Sequence, residues 1–584
     1  MQRFEKCRKL DGSQGYRIRY LPFILSILLF CNSCSLRNNA EESSTQLKIR
    51  ALWVDPPGFA DRETVDRLID KCQLAGINML IPNVMLRENI YFQSDNFFGN
   101  VNATQEYDPL AYLIEKAHAA GMEVHPWSCV YYSNPKREEW ISQPLVARNY
   151  DHVFLSPAHP EVNPYLLSVL EGLLEYDIDG IHLDYTRYWN AGFDYSETAS
   201  VRFAESHGFD PRNFLDHPDK IVDPVDDPYP VRVLAPLTME ERVWELGNIE
   251  RTMNRVGMGY AMISENSQNI DRLQTPGMLV VSFYTSFSNE TLEAMNRFVA
   301  RGGDLVWISP PNALFTDHPR WKEMSGVEQV NQEFNGRDVL NPPSTGKYAS
   351  SFTPFELTSR WNSFLIGKAE VIATRKDEPV VTLLRSGKGS VIMAGIQLMV
   401  SNNAELLNLF SGLIDRQRKE AGVDKDNDLL AEKRAQWIEW RASHILQFVT
   451  DVHEMVKSHN PELKVTAAAG VGPQERNGIY REGGEWLRKD LCDLLFPMNY
   501  ADNITAFTEI LEEQERSTDP GMQERIYPGL QIYQRQEGKT IPLDAEIVRQ
   551  QLELVKEEGY QGFCLFAYSY FSDEIVEILR QVRF

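Results

Sequence analysis

The sequence predicts an α/β protein: a (β/α)8 TIM barrel interrupted after its fourth strand by a smaller α/β unit. Strand–helix alternation fills both ends of the chain, four repeats in residues 48–224 and four in residues 426–584, and eight such repeats make one barrel. The stretch 225–425 between them carries its own strand–helix rhythm. The length of 584 residues exceeds one ordinary domain and suits a barrel with one accessory unit. Composition narrows the function. With 59 Lys and Arg against 83 Asp and Glu, the net charge is −24, which repels phosphate backbones and argues against a nucleic-acid partner.

The N-terminus reads as an address. Arg3, Lys6, Arg8, Lys9, Arg17 and Arg19 precede the apolar run Leu21–Phe30. A basic segment before about ten apolar residues is an export pattern, too short to span a bilayer. The following Cys31-Asn32-Ser33-Cys34 resembles a bacterial lipoprotein signal, with Ser33 as the small residue before a lipidated Cys34. Residues 1–34 are therefore expected to be the signal and 35–47 a flexible linker. The expected location is the bacterial cell envelope, with the membrane met through a lipid anchor only. Of the remaining cysteines, Cys72, Cys129, Cys492 and Cys564 sit in apolar contexts and are expected to be buried and inert.

The first barrel half follows in order. Ile49–Val54 is an apolar strand. Val65, Leu68, Ile69 and Cys72 repeat at helical spacing over 62–75, and Gly76 stops that helix. Asn78–Val84 is the second strand, and Asp108-Pro109 opens the second helix, which ends at Gly121. Met122–Trp127 is the third strand, Pro164–Tyr176 a helix, and Asp179–Asp184 the fourth strand. The rhythm resumes with a helix over Ala435–Ser458, then the strand Lys464–Ala469. Strands at Asp493–Met498, Ile526–Gln531 and Gly562–Phe566 complete the count, with a helix over Asp544–Glu558.

The inserted unit has strands at Val231–Ala235, Met278–Phe283, Asp304–Ser309 and Ser390–Gly395, and helices at Glu240–Arg255, Glu290–Ala300 and Ala404–Asp415. Around Asn289–Pro310 it resembles the flavodoxin-like domain of class I glutamine amidotransferases. Those enzymes need a cysteine on a strand-to-helix elbow, and none occurs between Cys129 and Cys492, so amidotransferase chemistry is excluded. A binding, spacer or oligomerisation role remains. Its place after strand four predicts that it overhangs the barrel mouth.

In such barrels the chemistry sits at the C-terminal ends of the strands. Those ends carry Trp53 and Asp55; Asn83 with Glu88; His125 and Trp127; His182, Asp184 and Arg187; Asn499, Tyr500 and Asp502; and Tyr568. Period-two alternation puts His182 and Asp184 on one face, with Asp184 at the active end. Aromatics stack on sugar rings, neutral polar groups read hydroxyls, and two carboxyl groups can cleave a glycosidic bond. Asp184 is the expected catalytic residue, with Asp502, Glu475 and Glu88 as candidates for the second acid. Trp53, Asp55, Asn83, His125, Trp127, His182, Arg187, Asn499, Tyr500 and Tyr568 are the expected substrate-binding set. The eleven histidines form no His-x-His or His-x3-His pair, so no metal and no cofactor is expected.

Arg50–Val54, Gly121–Trp127, Leu155-Ser156-Pro157, Tyr176–Asp184, Trp437–Arg441 and Asp493–Tyr500 occur in the order found in glycosyl-hydrolase-like family 10, which the chain resembles over residues 48–210 and 430–584. The resemblance implies a barrel, a carbohydrate substrate such as peptidoglycan glycan strands, and a functional aspartate at Asp184. Strand five ends in Ala468-Ala469-Gly470-Val471-Gly472, where that family tends to a Ser-Pro-containing turn, and Met498-Asn499-Tyr500 replaces a Gln-containing version. These departures imply an altered glycan specificity. The leading expectation is an exported glycoside hydrolase; the alternative is a catalytically degenerate glycan-binding lipoprotein.

Overall fold

The computed structural model describes residues 49–581 except 135, 147–152, 217–226, 236–242, 283–286, 309–318, 332–333, 397–403, 424–428, 473–474 and 537. Cys34, the export signal and the linker lie outside the described residues. The protein is α/β, built on a parallel, curled, barrel-like sheet and a separate mixed sheet.

The curled sheet comprises β1 (Ile49–Val54), β2 (Met79–Arg87), β3 (Trp127–Ser133), β4 (Gly180–Asp184), β5 (Lys464–Ala467), β6 (Leu494–Leu495), β7 (Gly529–Gln531) and β8 (Gly562–Phe566). β4 meets β5 in parallel, His182 opposite Thr466, across the whole intervening unit. β8 returns to β1 with Ala51 opposite Cys564, and parallel bridges Leu495–Ile526 and Met498–Gly529 link the β6 and β7 segments. Near-continuous apolar runs suit strands covered on both faces.

Local chemistry sets the helices. In α1 (Arg62–Ala75), the Asp61 carboxylate accepts from the Thr64 N–H at 2.8 Å, while the Thr64 hydroxyl accepts from the Asp61 N–H at 3.0 Å. This reciprocal cap fixes the start, and Gly76 at φ 66° ends the helix in the left-handed region. Val65, Leu68, Ile69, Cys72 and Ala75 form its buried face.

Several strands differ from expectation in their bounds, two of them at a proline. The third strand was expected to stop at Trp127. Instead Pro126, which has no N–H for the ladder, separates a short piece, Glu123–Val124, from the main strand, which runs on to Ser133. Pro497 likewise leaves only Leu494–Leu495 as regular ladder in the sixth segment. The helix expected at 435–458 spans Leu429–His459, and the helix Ile504–Arg516 and the hairpin Tyr533–Gln536/Lys539–Pro542 were not anticipated.

The separate sheet has six parallel strands in the order Leu215–Asp216, Ala261–Ser264, Val231–Ala235, Gly277–Ser282, Gly303–Ile308 and Gly389–Ala394, read from its far edge. Antiparallel Glu378–Ser386 and Glu370–Arg375 follow. Its two faces feed two cores: Met278, Val280 and Val306 pack on one side, Leu279, Val281 and Trp307 on the other. Helix Val243–Arg255 of this unit lies against the loop after β5. The Asn254 amide donates to the Asn477 carbonyl at 3.1 Å, and a Cβ at Gly478 would come within 2.6 Å of Arg251 Cδ. Cys72, Cys129, Cys492 and Cys564 are all buried and free. Among the described residues no helix is long and apolar enough to cross a membrane.

Candidate active site

Asp184 closes β4 and is 5% exposed. One carboxylate oxygen accepts from the Trp127 indole N–H at 3.1 Å, the other from the Tyr185 backbone N–H at 2.6 Å. Tyr185, at φ 48°, turns the chain sharply as it leaves the strand. Burial pushes the Asp184 carboxyl up from the ordinary aspartate value, while the Tyr185 N–H, the charges of Arg481 and Arg187, and the Trp127 hydrogen bond pull the other way. The net direction is upward.

Around Asp184 the mouth is aromatic. Trp127 meets Phe566 edge-on at 6.1 Å, Tyr500 stacks on Phe566 at 5.3 Å, and Tyr533 approaches the same ring. Tyr132 lies 5.0 Å from Tyr185, and Arg187 lies over the Tyr185 and Phe154 rings. Arg187 donates to the carbonyls of Tyr188 and Trp189, both at 3.0 Å. The buried Cys129 stands opposite Asp184 in the β3–β4 register, and its thiol is raised by burial and by the Asp184 charge. Asn83, opposite Trp127 on β2, donates to the Cys129 sulfur at 3.6 Å and keeps a buried amide oxygen without a partner.

The loop after β5 brings a second carboxylate. Arg481, 2% exposed, grips Glu475 with two parallel bonds of 2.7 and 2.6 Å and donates a third to the Ala468 carbonyl at 2.7 Å. The Gly470 N–H also donates to Glu475 at 3.2 Å. Glu475 and Arg481 line a cleft of about 230 Å³ with Met498, Asn499, Glu513 and Gln514. Arg481 acts electrostatically on both Glu475 and Asp184, so the two carboxylates share one cation. Asn499 donates to Gln514 at 2.9 Å and leaves its buried amide oxygen unpartnered beside this cleft.

Other expected site residues lie elsewhere. His125 is corrected outright: because β3 continues past Pro126, His125 sits near the strand's entry, where it bonds Glu123 at 3.1 Å, and Lys464 in turn pairs with Glu123 at 2.7 Å. His182 is enclosed mid-barrel, accepting from the Trp53 indole at 3.2 Å and meeting the Thr466 hydroxyl at 2.9 Å; burial drives its pKa well below the usual histidine value. Trp53, 1% exposed among His182, Phe496 and Phe566, is packing inside the barrel and offers no open ring face. Asp55 holds Ser569 through the latter's N–H at 3.1 Å and its hydroxyl. Tyr568 packs against Gly58. Asp502 is exposed beside Asn503, and Glu88 sits on the rim in the turn after β2.

Arg481, Tyr185, Phe566 and Tyr533 were missed in the sequence. A Glu and an Arg six residues apart in the loop after β5 were a readable signal for the pair. Nothing local marked Phe566 as a mouth residue. Among the described residues no three His, Cys, Asp or Glu side chains gather as a metal-ligand set.

The parallel curled sheet thus carries an aspartate at the end of its fourth strand and a second carboxylate in the loop after its fifth. The glycosyl hydrolase-like 10 family model matches residues 48–213 and 414–546, half of the chain, and skips the separate sheet. The chain belongs to that family.

Curated relatives include a glycosyl hydrolase, YngK, of Bacillus subtilis (strain 168), 24% identical over 227 residues, covering 33% of this chain and 43% of the relative. Another is the glycosyl hydrolase DigH of Escherichia coli (strain K12), 27% identical over 150 residues, covering 20% of this chain and 33% of the relative. The chain thus spans less than half the length of these relatives. Among solved structures, a β-galactosidase from Bacillus circulans sp. alkalophilus aligns with 65% of this chain and 89% of its own, at 11% identity and a TM-score of 0.27, too low to bear on substrate.

Proposed function

We propose that the chain is an exported glycoside hydrolase, anchored through Cys34, that cleaves a poly- or oligosaccharide at the barrel mouth, bacterial peptidoglycan glycan strands being the first substrate to try. The observation that carries the reading is Asp184: a buried carboxyl at the end of β4, raised toward its protonated form, within an aromatic mouth. Burial that disfavours the charged form makes this carboxyl a better proton donor, suited to protonating the leaving glycosidic oxygen as the bond to the anomeric carbon breaks. Glu475 is the favoured second carboxylate, activating water or attacking the anomeric carbon itself, because it alone of the three candidates shares Arg481 with Asp184. The aromatic side chains around Asp184 suit a sugar ring, and the unpartnered oxygens of Asn83 and Asn499 suit sugar hydroxyls. On this reading residues 48–224 and 426–584 form one (β/α)8 barrel, and 225–425 is a flavodoxin-like insert that meets the loop after β5 through Arg251 and Asn254.

One observation favours the alternative of a glycan-binding protein without turnover: both Glu475 oxygens are already engaged by Arg481. Incubating the purified chain with peptidoglycan strands and a panel of bacterial and plant glycans separates the two. Release of new reducing ends supports the hydrolase; saturable binding with no reducing ends from any glycan overturns it.

A further inference from the structure

The separate sheet carries a pocket that the barrel mouth does not use. It lies between one face of the helix Ala404–Glu420 and the turn leading into the strand Phe355–Trp361, with a volume of about 340 Å³, in the range of small-molecule sites of about 300–1,000 Å³. On one side stand Phe352 and Phe355, half-buried, ring centres 5.8 Å apart and tilted 58°. Beneath them is Tyr348, 2% exposed, whose hydroxyl has no hydrogen-bond partner. The helix offers Glu405, Asn408 and Arg416, the last with its guanidinium 4.9 Å from the Tyr348 ring centre.

Gly412 is the second observation. It stands in the middle of a seventeen-residue helix, with no αL conformation to require it, and a Cβ built there meets nothing within 4 Å. Glycine weakens a helix interior, and close packing does not explain it here. Gly412 is exposed along the pocket's edge, and its bare backbone leaves that edge open.

We infer that this pocket is a second carbohydrate site, taking one or two rings of a neutral oligosaccharide and holding the chain on glycan remote from the barrel mouth. Aromatic faces for the ring, a buried hydroxyl lacking a partner, an amide, and one charge of each sign make a net-neutral, hydrogen-bonding site. Glu405 and Arg416 together give neither an anion nor a cation a net charge to meet, and the Asn408 amide and Tyr348 hydroxyl suit a ligand bearing hydroxyl groups. The choice of sugar as ligand rests on the proposed glycan activity.

The test uses the full chain carrying Asp184→Asn, so that bound sugar is not consumed. Chito-, cello-, malto-, xylo- and mannotetraose are titrated by calorimetry and saturation-transfer NMR. At least one is expected to bind at a second site besides the mouth, that site's affinity falling about five- to tenfold with Tyr348→Phe, the loss of one hydrogen bond, and the second binding step disappearing with Gly412→Leu while the mouth still binds. Leucine occupies the open edge and favours the helix, so Gly412→Leu should fold as well as the parent. A second binding step unaffected by Gly412→Leu, or none with any tetraose, overturns the site. In the Asp184-containing chain, Gly412→Leu should leave hydrolysis of short substrates unchanged. Failure of hydrolysis with Gly412-sensitive binding intact overturns the catalytic reading alone.

Discussion

Replacing Arg481 with methionine removes three hydrogen bonds of 2.6–2.7 Å from a side chain that is 2% exposed. It leaves the Ala468 carbonyl without this donor and Glu475, whose side chain is 19% exposed, without its counter-ion. Breaking a buried pair from one side costs about 3–5 kcal/mol, mostly through the charge left behind. In a barrel of this size each kcal/mol moves a thermal midpoint by roughly 1–2 °C, so a fall of about 5 °C is expected. Glu475→Gln in the same background removes the stranded charge and should restore part of that loss, a coupling of about 1–3 kcal/mol in a double-mutant cycle. The substitution also reaches Asp184. The Arg481 charge lowers the Asp184 pKa, so its removal raises it further. The limb of kcat/KM along which a protonated acid is lost then moves to higher pH. Thermal unfolding of both single variants and the double, with pH profiles on any substrate the wild type cleaves, checks both halves. A cost for Arg481→Met below about 1 kcal/mol, or coupling near zero, would refute the shared-cation account.

Three further outcomes follow from the same geometry. Trp127→Phe deletes the indole donor to Asp184; because that bond lowers the Asp184 pKa, the same pH limb should move upward, and an unmoved limb with normal activity would remove Trp127 from the site. Glu123 is held at about 2, chiefly by its bond to His125 and then by Lys464, below the ordinary 4.5. Its stabilisation is therefore present above 4.5 and lost as pH falls toward 2, and Glu123→Gln should flatten the acid dependence of the thermal midpoint over that window; an unchanged slope would contradict it. Trp53→Ala should cost about 3–5 kcal/mol through the cavity it leaves and spare KM. A raised KM with little loss of stability would return Trp53 to the substrate.

The order of the strands in the curled sheet and the place of Asp184 at the end of its fourth strand are legible in the sequence, because apolar periodicity and capping chemistry are local signals. β1, α1 and β8 fall on the residues expected. What escaped was non-local. His125 lies short of the mouth because the third strand runs on from Trp127 to Ser133, a length only its pairing with neighbouring strands reveals. Trp53 and His182 alternate correctly with their neighbours, yet period two tells inward from outward and not the depth along the barrel axis. Arg481 earns its role only through a fold that brings its loop beside β4. The same limit hid the pocket around Tyr348, whose walls come from segments far apart in the sequence, Tyr348–Phe355 and Glu405–Arg416.

The central claim is that Asp184 gives up a proton to a glycosidic oxygen, and the rate of reducing-end release by Asp184→Asn measures it most directly. The amide is nearly isosteric, so the fold should persist even though its NH2 must face one of the two donors that the carboxylate now accepts. On a glycan the wild type cleaves, a fall of about 10²–10⁴-fold with an unchanged circular-dichroism spectrum is the predicted result. Cleavage at the wild-type rate would contradict the account.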